Sequence, residues 1–126
     1  MSRLKSFRHA FAGLFTLLRT QHNAWLHAFA TALVIIVAAV LQVRGEDWRW
    51  LIIAILLVWV SETLNTAIEY ICDVVSPQHN EAVKHAKDIS AGAVLLCAVG
   101  AVLIGLITLW PYMVAMYESL RGPIAI

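Results

Sequence analysis

Ala24-Trp25-Leu26-His27-Ala28-Phe29-Ala30-Thr31-Ala32-Leu33-Val34-Ile35-Ile36-Val37-Ala38-Ala39-Val40-Leu41-Gln42-Val43 contains no Asp, Glu, Lys or Arg. About 20 helical residues cover the hydrocarbon of a bilayer, so this stretch is long enough to cross one. A polar break follows at Arg44-Gly45-Glu46-Asp47, and a second segment runs from about Trp48 to Val75, apolar in its first half and punctuated by polar residues in its second. Ser76-Pro77-Gln78-His79-Asn80 interrupts it, because proline disfavours the helical conformation of its neighbour. The third helix begins near Glu81 and meets no charge between Asp88 and Glu118. Crossings over 24–43, 48–75 and 84–116 predict an all-α membrane protein, one membrane domain spanning 1–126.

Composition agrees. Of 126 residues, 61% are hydrophobic and 13% charged, with mean hydropathy +0.79, whereas a soluble domain is about half apolar and a quarter charged. A net charge of +1 offers no basic field for nucleic acid. Cys72 and Cys97 lie in apolar stretches and read as small buried hydrophobes, with no Cys/His spacing suited to zinc.

Ahead of the first crossing, Leu4, Phe7, Phe11, Leu14, Phe15 and Leu18 recur at helical spacing among Arg3, Lys5, Arg8 and Arg19. That pattern predicts an amphipathic helix over 1–23 lying in the membrane interface, not a cleavable signal. Lys and Arg counts set the orientation. Four in the N-terminal segment plus Lys84 and Lys87 outnumber Arg44, Arg49 and Arg121, which puts the N-terminus and the loop after the second crossing in the cytoplasm. Trp48 and Trp50 then share the outer interface with Trp110 and Tyr112.

One arrangement is not explained by composition. In Glu62-Thr63-Leu64-Asn65-Thr66-Ala67-Ile68-Glu69-Tyr70-Ile71-Cys72-Asp73, the residues Glu62, Asn65, Glu69 and Asp73 fall in a helical stripe roughly 80° wide. Carboxylates at membrane depth cost at least a few kcal/mol each and usually face a protein interior or a wet cavity. A structural helix holds one such group against a partner; three and an amide on one face point to chemistry. Lys87 and Asp88 open the third helix near the level where the stripe ends. Carboxylates and a lysine beside cytosol suit magnesium and nucleotide phosphates, without the GxxxxGK[ST] loop, which the chain lacks. Glu62 lies about 10 Å deeper than Glu69 along the helix, where it can serve as general base toward a lipid hydroxyl while Glu69 handles metal and phosphate.

ETLNTAIEYICD (62–73) together with HAKDISAGAVLL (85–96) closely resembles the signature of the bacterial integral-membrane diacylglycerol kinase and undecaprenol kinase family, over nearly the whole chain. The resemblance implies a homotrimer with active sites shared between protomers, using ATP with Mg2+ to phosphorylate a membrane lipid alcohol in the bacterial inner membrane. It implies Glu62 as proton acceptor from the lipid hydroxyl and Glu69 as a metal ligand that also contacts ATP. Lys87 and Asp88 match a nucleotide-contacting pair, and His79 matches a loop near the nucleotide. Asn65 matches the polar position between the glutamates, and His9 a nucleotide contact on the amphipathic segment. One departure stands out: where the family usually has a second glutamate ligand, this chain has Gln21, and no acidic residue precedes Glu46. An amide oxygen coordinates a hard cation without the charge, so weaker metal binding is expected.

His22 and His27 read as interfacial or helix-packing residues. Ala91, Gly92, Ala93, Gly100 and Gly105 read as small residues that let helices approach closely. Two alternatives to an ATP-dependent lipid kinase remain at this stage: a family relative without catalysis or with an altered metal site, and a small proton-coupled transporter. A relay should continue polar groups past Glu62, and Leu51–Val60 offers none. NTAIE (65–69) and KDISAGAVLL (87–96) resemble the undecaprenol-kinase branch slightly more than the diacylglycerol branch, and that resemblance implies undecaprenol as the lipid.

Overall fold

The computed structural model describes residues 3–78 and 80–122. They form four helices: α1 (Arg3–Thr20), α2 (His22–Val40), α3 (Gly45–Val75) and α4 (Glu81–Arg121). The last three are long and apolar enough to cross a membrane. At about 1.5 Å per residue, the 31 residues of α3 and 41 of α4 exceed the roughly 30 Å of hydrocarbon, so both reach beyond it.

Local chemistry places the helix ends. Between α1 and α2 the helical run breaks only at Gln21, in an extended conformation with φ −105° and ψ 117°. α2 stops at Val40 because Gln42 enters the left-handed region at φ 51°. The Val43 N–H then donates to the Ala38 carbonyl (3.0 Å) and the Gln42 N–H to Ala39 (3.1 Å), the paired bonds that close a helix around a left-handed residue. α3 starts at Gly45, ahead of the Trp48 expected from hydropathy. Glu46 and Asp47 occupy its first turn, where the helix dipole favours anions. Asn80 caps α4 by accepting from the Ala82 and Val83 N–H groups at 2.9 and 3.3 Å. α4 continues past residue 116 to Arg121, whose guanidinium lies 4.9 Å over the Tyr117 ring one turn earlier.

α3 packs along α4, and α2 rests on α3 over a shorter stretch. The buried cluster Ala38, Val43 and Leu51, flanked by Trp48, Leu109 and Tyr112, joins the ends of α2 and α4 to the start of α3. Most large apolar side chains, including Phe29, Ile36, Leu96, Leu103 and Ile107, are exposed. Such a surplus of apolar surface suits lipid or neighbouring chains and not water.

Candidate functional site

The polar stripe of α3 changes environment along its length. Glu62 is 2% exposed and Asn65 7%, whereas Glu69 is half-buried and Asp73 exposed. Its deep end meets α2: Glu62 Oε2 lies 3.5 Å from His27 Nε2 and has no hydrogen-bond partner. Thr66, one turn on, is also buried with its hydroxyl unpartnered. The middle meets α4. Asn65 Nδ2 donates to Glu69 Oε1 (3.0 Å), and its carbonyl oxygen accepts from the buried Ser90 hydroxyl (2.6 Å), which also lies 2.9 Å from the Lys87 carbonyl. At the shallow end Lys87 Nζ pairs with Asp73 Oδ1 at 2.5 Å. Two helices, α2 and α4, therefore meet the stripe of α3, and its polar groups form a ladder from a sheltered carboxylate to an exposed ion pair.

The other candidates stand apart from that ladder. Asp88 is exposed, and His9 is exposed on α1. Gln21 is half-buried in the α1–α2 junction, and its side chain caps neither helix. The Tyr70 hydroxyl reaches Thr20 Oγ1 at 3.4 Å, which sets this junction beside the Glu69 level of α3. His79 lies outside the described residues.

Among the described residues no three His, Cys, Asp or Glu side chains gather into a metal-holding group. Magnesium asks for less, because one or two carboxylates plus substrate phosphates complete its shell. Glu69 fits that role: it is half-buried, with one oxygen held by Asn65.

Between α2, α3 and α4 lies an apolar cavity of about 360 Å³. His27, Thr31, Val34, Leu51, Ala54 and Gly105 are among the residues lining it. His27 thus separates this cavity from Glu62. The Thr31 hydroxyl accepts from the Trp59 indole N–H at 3.0 Å. No ionisable group other than His27 lines the cavity, so the polar ladder ends at the His27–Glu62 contact.

The profile of the prokaryotic diacylglycerol kinase family matches residues 8–109. The chain belongs to this family. A diacylglycerol kinase of Synechocystis is 39% identical over 114 residues, covering 90% of this chain and 65% of that protein. An undecaprenol kinase of Bacillus subtilis is 36% identical over 107 residues, covering 85% of this chain and 87% of the relative. A diacylglycerol kinase of Escherichia coli K12 is 34% identical over 83 residues, 66% and 68% of the two chains. The chain thus spans about two thirds of the Synechocystis relative's length. The family match contains α2 and α3 in full, most of α1 and α4, and every member of the ladder from His27 to Ser90.

Sequence reasoning took His27 for an interfacial or packing residue and passed over Ser90. A histidine inside an otherwise apolar crossing was the available signal for the first. For Ser90 the signal was its position three residues after Lys87, on the same helix face.

Proposed function

We propose that this chain is an ATP- and Mg2+-dependent lipid kinase that phosphorylates the hydroxyl of a membrane alcohol. The carrying observation is Glu62: a carboxylate sheltered from solvent, one oxygen without a hydrogen-bond partner, at the deep end of a ladder whose other end is exposed. A structural carboxylate at that depth would be satisfied by donors. A carboxylate not already held by donors suits a base that receives a proton from a substrate. Glu62 takes the proton of the lipid hydroxyl, and that oxygen attacks the γ-phosphorus. Glu69 and Gln21 would hold Mg2+, which neutralises phosphate charge when bound. Asn65 orients Glu69 through its 3.0 Å bond. Lys87, released from Asp73, meets the phosphates, with Asp88, His79 and His9 toward the nucleotide.

The relatives are named for two alcohols, diacylglycerol and undecaprenol. A radiolabelled-ATP assay of purified protein offered both in parallel tests the reading. Label transferred to either alcohol supports it and identifies the lipid; transfer to neither defeats it. The transporter alternative gains nothing from the geometry, because beyond His27 the space between the helices is apolar.

The same stripe supports assembly as a homotrimer. The Lys87–Asp73 end is open, and one three-helix chain does not enclose both ATP and a lipid. Crosslinking or native mass analysis in mild detergent checks this, and a strictly monomeric protein with full activity would refute it. The reading places the protein in the bacterial cytoplasmic membrane with its N-terminus and the Ser76–Asp88 segment inside, beside ATP.

A further inference from the structure

A carboxylate within a membrane bundle is costly unless a cation or hydrogen-bond donors meet it. Glu62 Oε2 has no hydrogen-bond partner, and the titratable side chain facing it is His27 of α2, 3.5 Å away. His27 is itself sheltered at 12% exposure. No other ionisable group lines the cavity on its far side. Along α3, the next polar members of the stripe are engaged elsewhere: Asn65 with Glu69 and Ser90, and Asp73 with Lys87. The buried Thr66 hydroxyl one turn on is also unpartnered, but of the ionisable groups at this depth Glu62 and His27 have each other.

We infer that His27 is the positioning residue for Glu62, an inference that rests on the lipid-kinase reading. Its Nε2–H closes on Oε2 and fixes the carboxylate so that the other oxygen faces the lipid hydroxyl. At 3.5 Å the contact is longer than a hydrogen bond, and contacts of this kind often tighten only when substrate is bound. In the transfer itself, the hydroxyl oxygen bonds to the γ-phosphorus and its proton goes to Glu62. The bond from that phosphorus to the β,γ-bridging oxygen breaks, with its electron pair leaving on ADP. His27 neither gains nor loses a proton. It acts through Glu62 and does not touch the reacting atoms.

His27→Gln and His27→Met test this, because the two side chains are close in length and differ in whether they carry an N–H donor. In His27→Met, kcat falls about 10- to 100-fold, the size seen when an orienting partner is removed, while KM for ATP and for the lipid stays put. His27→Gln restores most of kcat. Equal turnover in the two variants overturns the inference, as does a loss confined to the lipid KM, which would make His27 only a wall of the cavity. Should the thioether chain disturb folding, His27→Leu carries the same comparison. Wild-type protein that phosphorylates no lipid removes the kinase reading itself, and that failure appears before any substitution is made.

Discussion

Both ends of α3 carry acidic side chains, and the two ends treat them differently. At the Asp47 end both acidic side chains have partners. The Tyr112 hydroxyl of α4 donates to Asp47 Oδ2 and accepts from the Arg44 N–H at 3.1 Å, while Arg44 pairs with Glu46 at 2.5 Å. Beyond the midpoint, Glu62 is more deeply buried than any of these and yet keeps an oxygen without a hydrogen bond. Satisfied polar groups at a helix end fix the register of α3 against α4. An unsatisfied one at greater depth weakens the fold by about 1–3 kcal/mol, and such an expense is retained where the carboxylate is to act on a substrate.

The sharpest way to break this contrast is Glu62→Gln. The amide keeps the size but does not accept a proton, so phosphoryl transfer falls by about 10²–10⁴-fold, the range of general-base contributions. Nucleotide affinity stays near wild type, because Glu62 lies deeper than the Glu69 level. Single-turnover kinetics beside nucleotide-binding titrations measure both. Glu69→Gln comes next, with a different signature: a raised Mg2+ requirement, met only at about ten- to a hundredfold higher concentration, and loss of ATP affinity. If both variants lost ATP affinity equally, the division between deep base and shallow ligand would be wrong.

Tyr112→Phe probes the other end with a smaller effect. It removes one donor to Asp47 and one acceptor from Arg44. Stability in detergent falls by about 1 kcal/mol, read by thermal unfolding, while kcat and both KM values are unchanged. A loss of turnover at unchanged stability would show the two ends of α3 to be coupled, against the contrast drawn here.

The two regions also differ in how much of them the sequence discloses. The three crossings and the Glu62-to-Asp73 stripe follow from periodicity and hydropathy, which belong to single helices. Lys87 is placed near the end of the stripe by the sequence, but the contacts of His27 and Ser90 are not, because they meet it only through the packing of α2 and α4. Nor is the stop of α2 at Val40, since Gln42 in a left-handed conformation has no composition signal of the kind a glycine gives. Hydropathy extends that crossing to Val43, and the paired bonds onto Ala38 and Ala39 end it earlier. At the start of α3 the acidic first turn carries the helix ahead of its apolar run.

The smallest expected effect concerns Gln21, where the chain departs from the glutamate its family resemblance leads one to expect. Gln21 stands in the break between α1 and α2, half-buried, with its backbone N–H bonded to the Leu17 carbonyl (2.9 Å) and its side chain making no cap bond. The Thr20–Tyr70 contact holds that break beside the Glu69 level of α3. A charged oxygen outcompetes a neutral one for a hard cation. Gln21→Glu therefore lowers the magnesium concentration for half-maximal activity by a few-fold, on the order of one added charge-assisted contact. Turnover rises or stays level, because tighter ground-state binding of the metal need not lower the barrier. Because the Gln21 side chain caps neither helix, the substitution breaks no hydrogen bond that holds the junction, and thermal unfolding without magnesium serves as the control. If Gln21 instead stands outside the metal's reach, with water in its place, the new carboxylate leaves the titration where it was. Magnesium titrations of the two proteins side by side decide between these outcomes, and superimposable curves would remove Gln21 from the metal site.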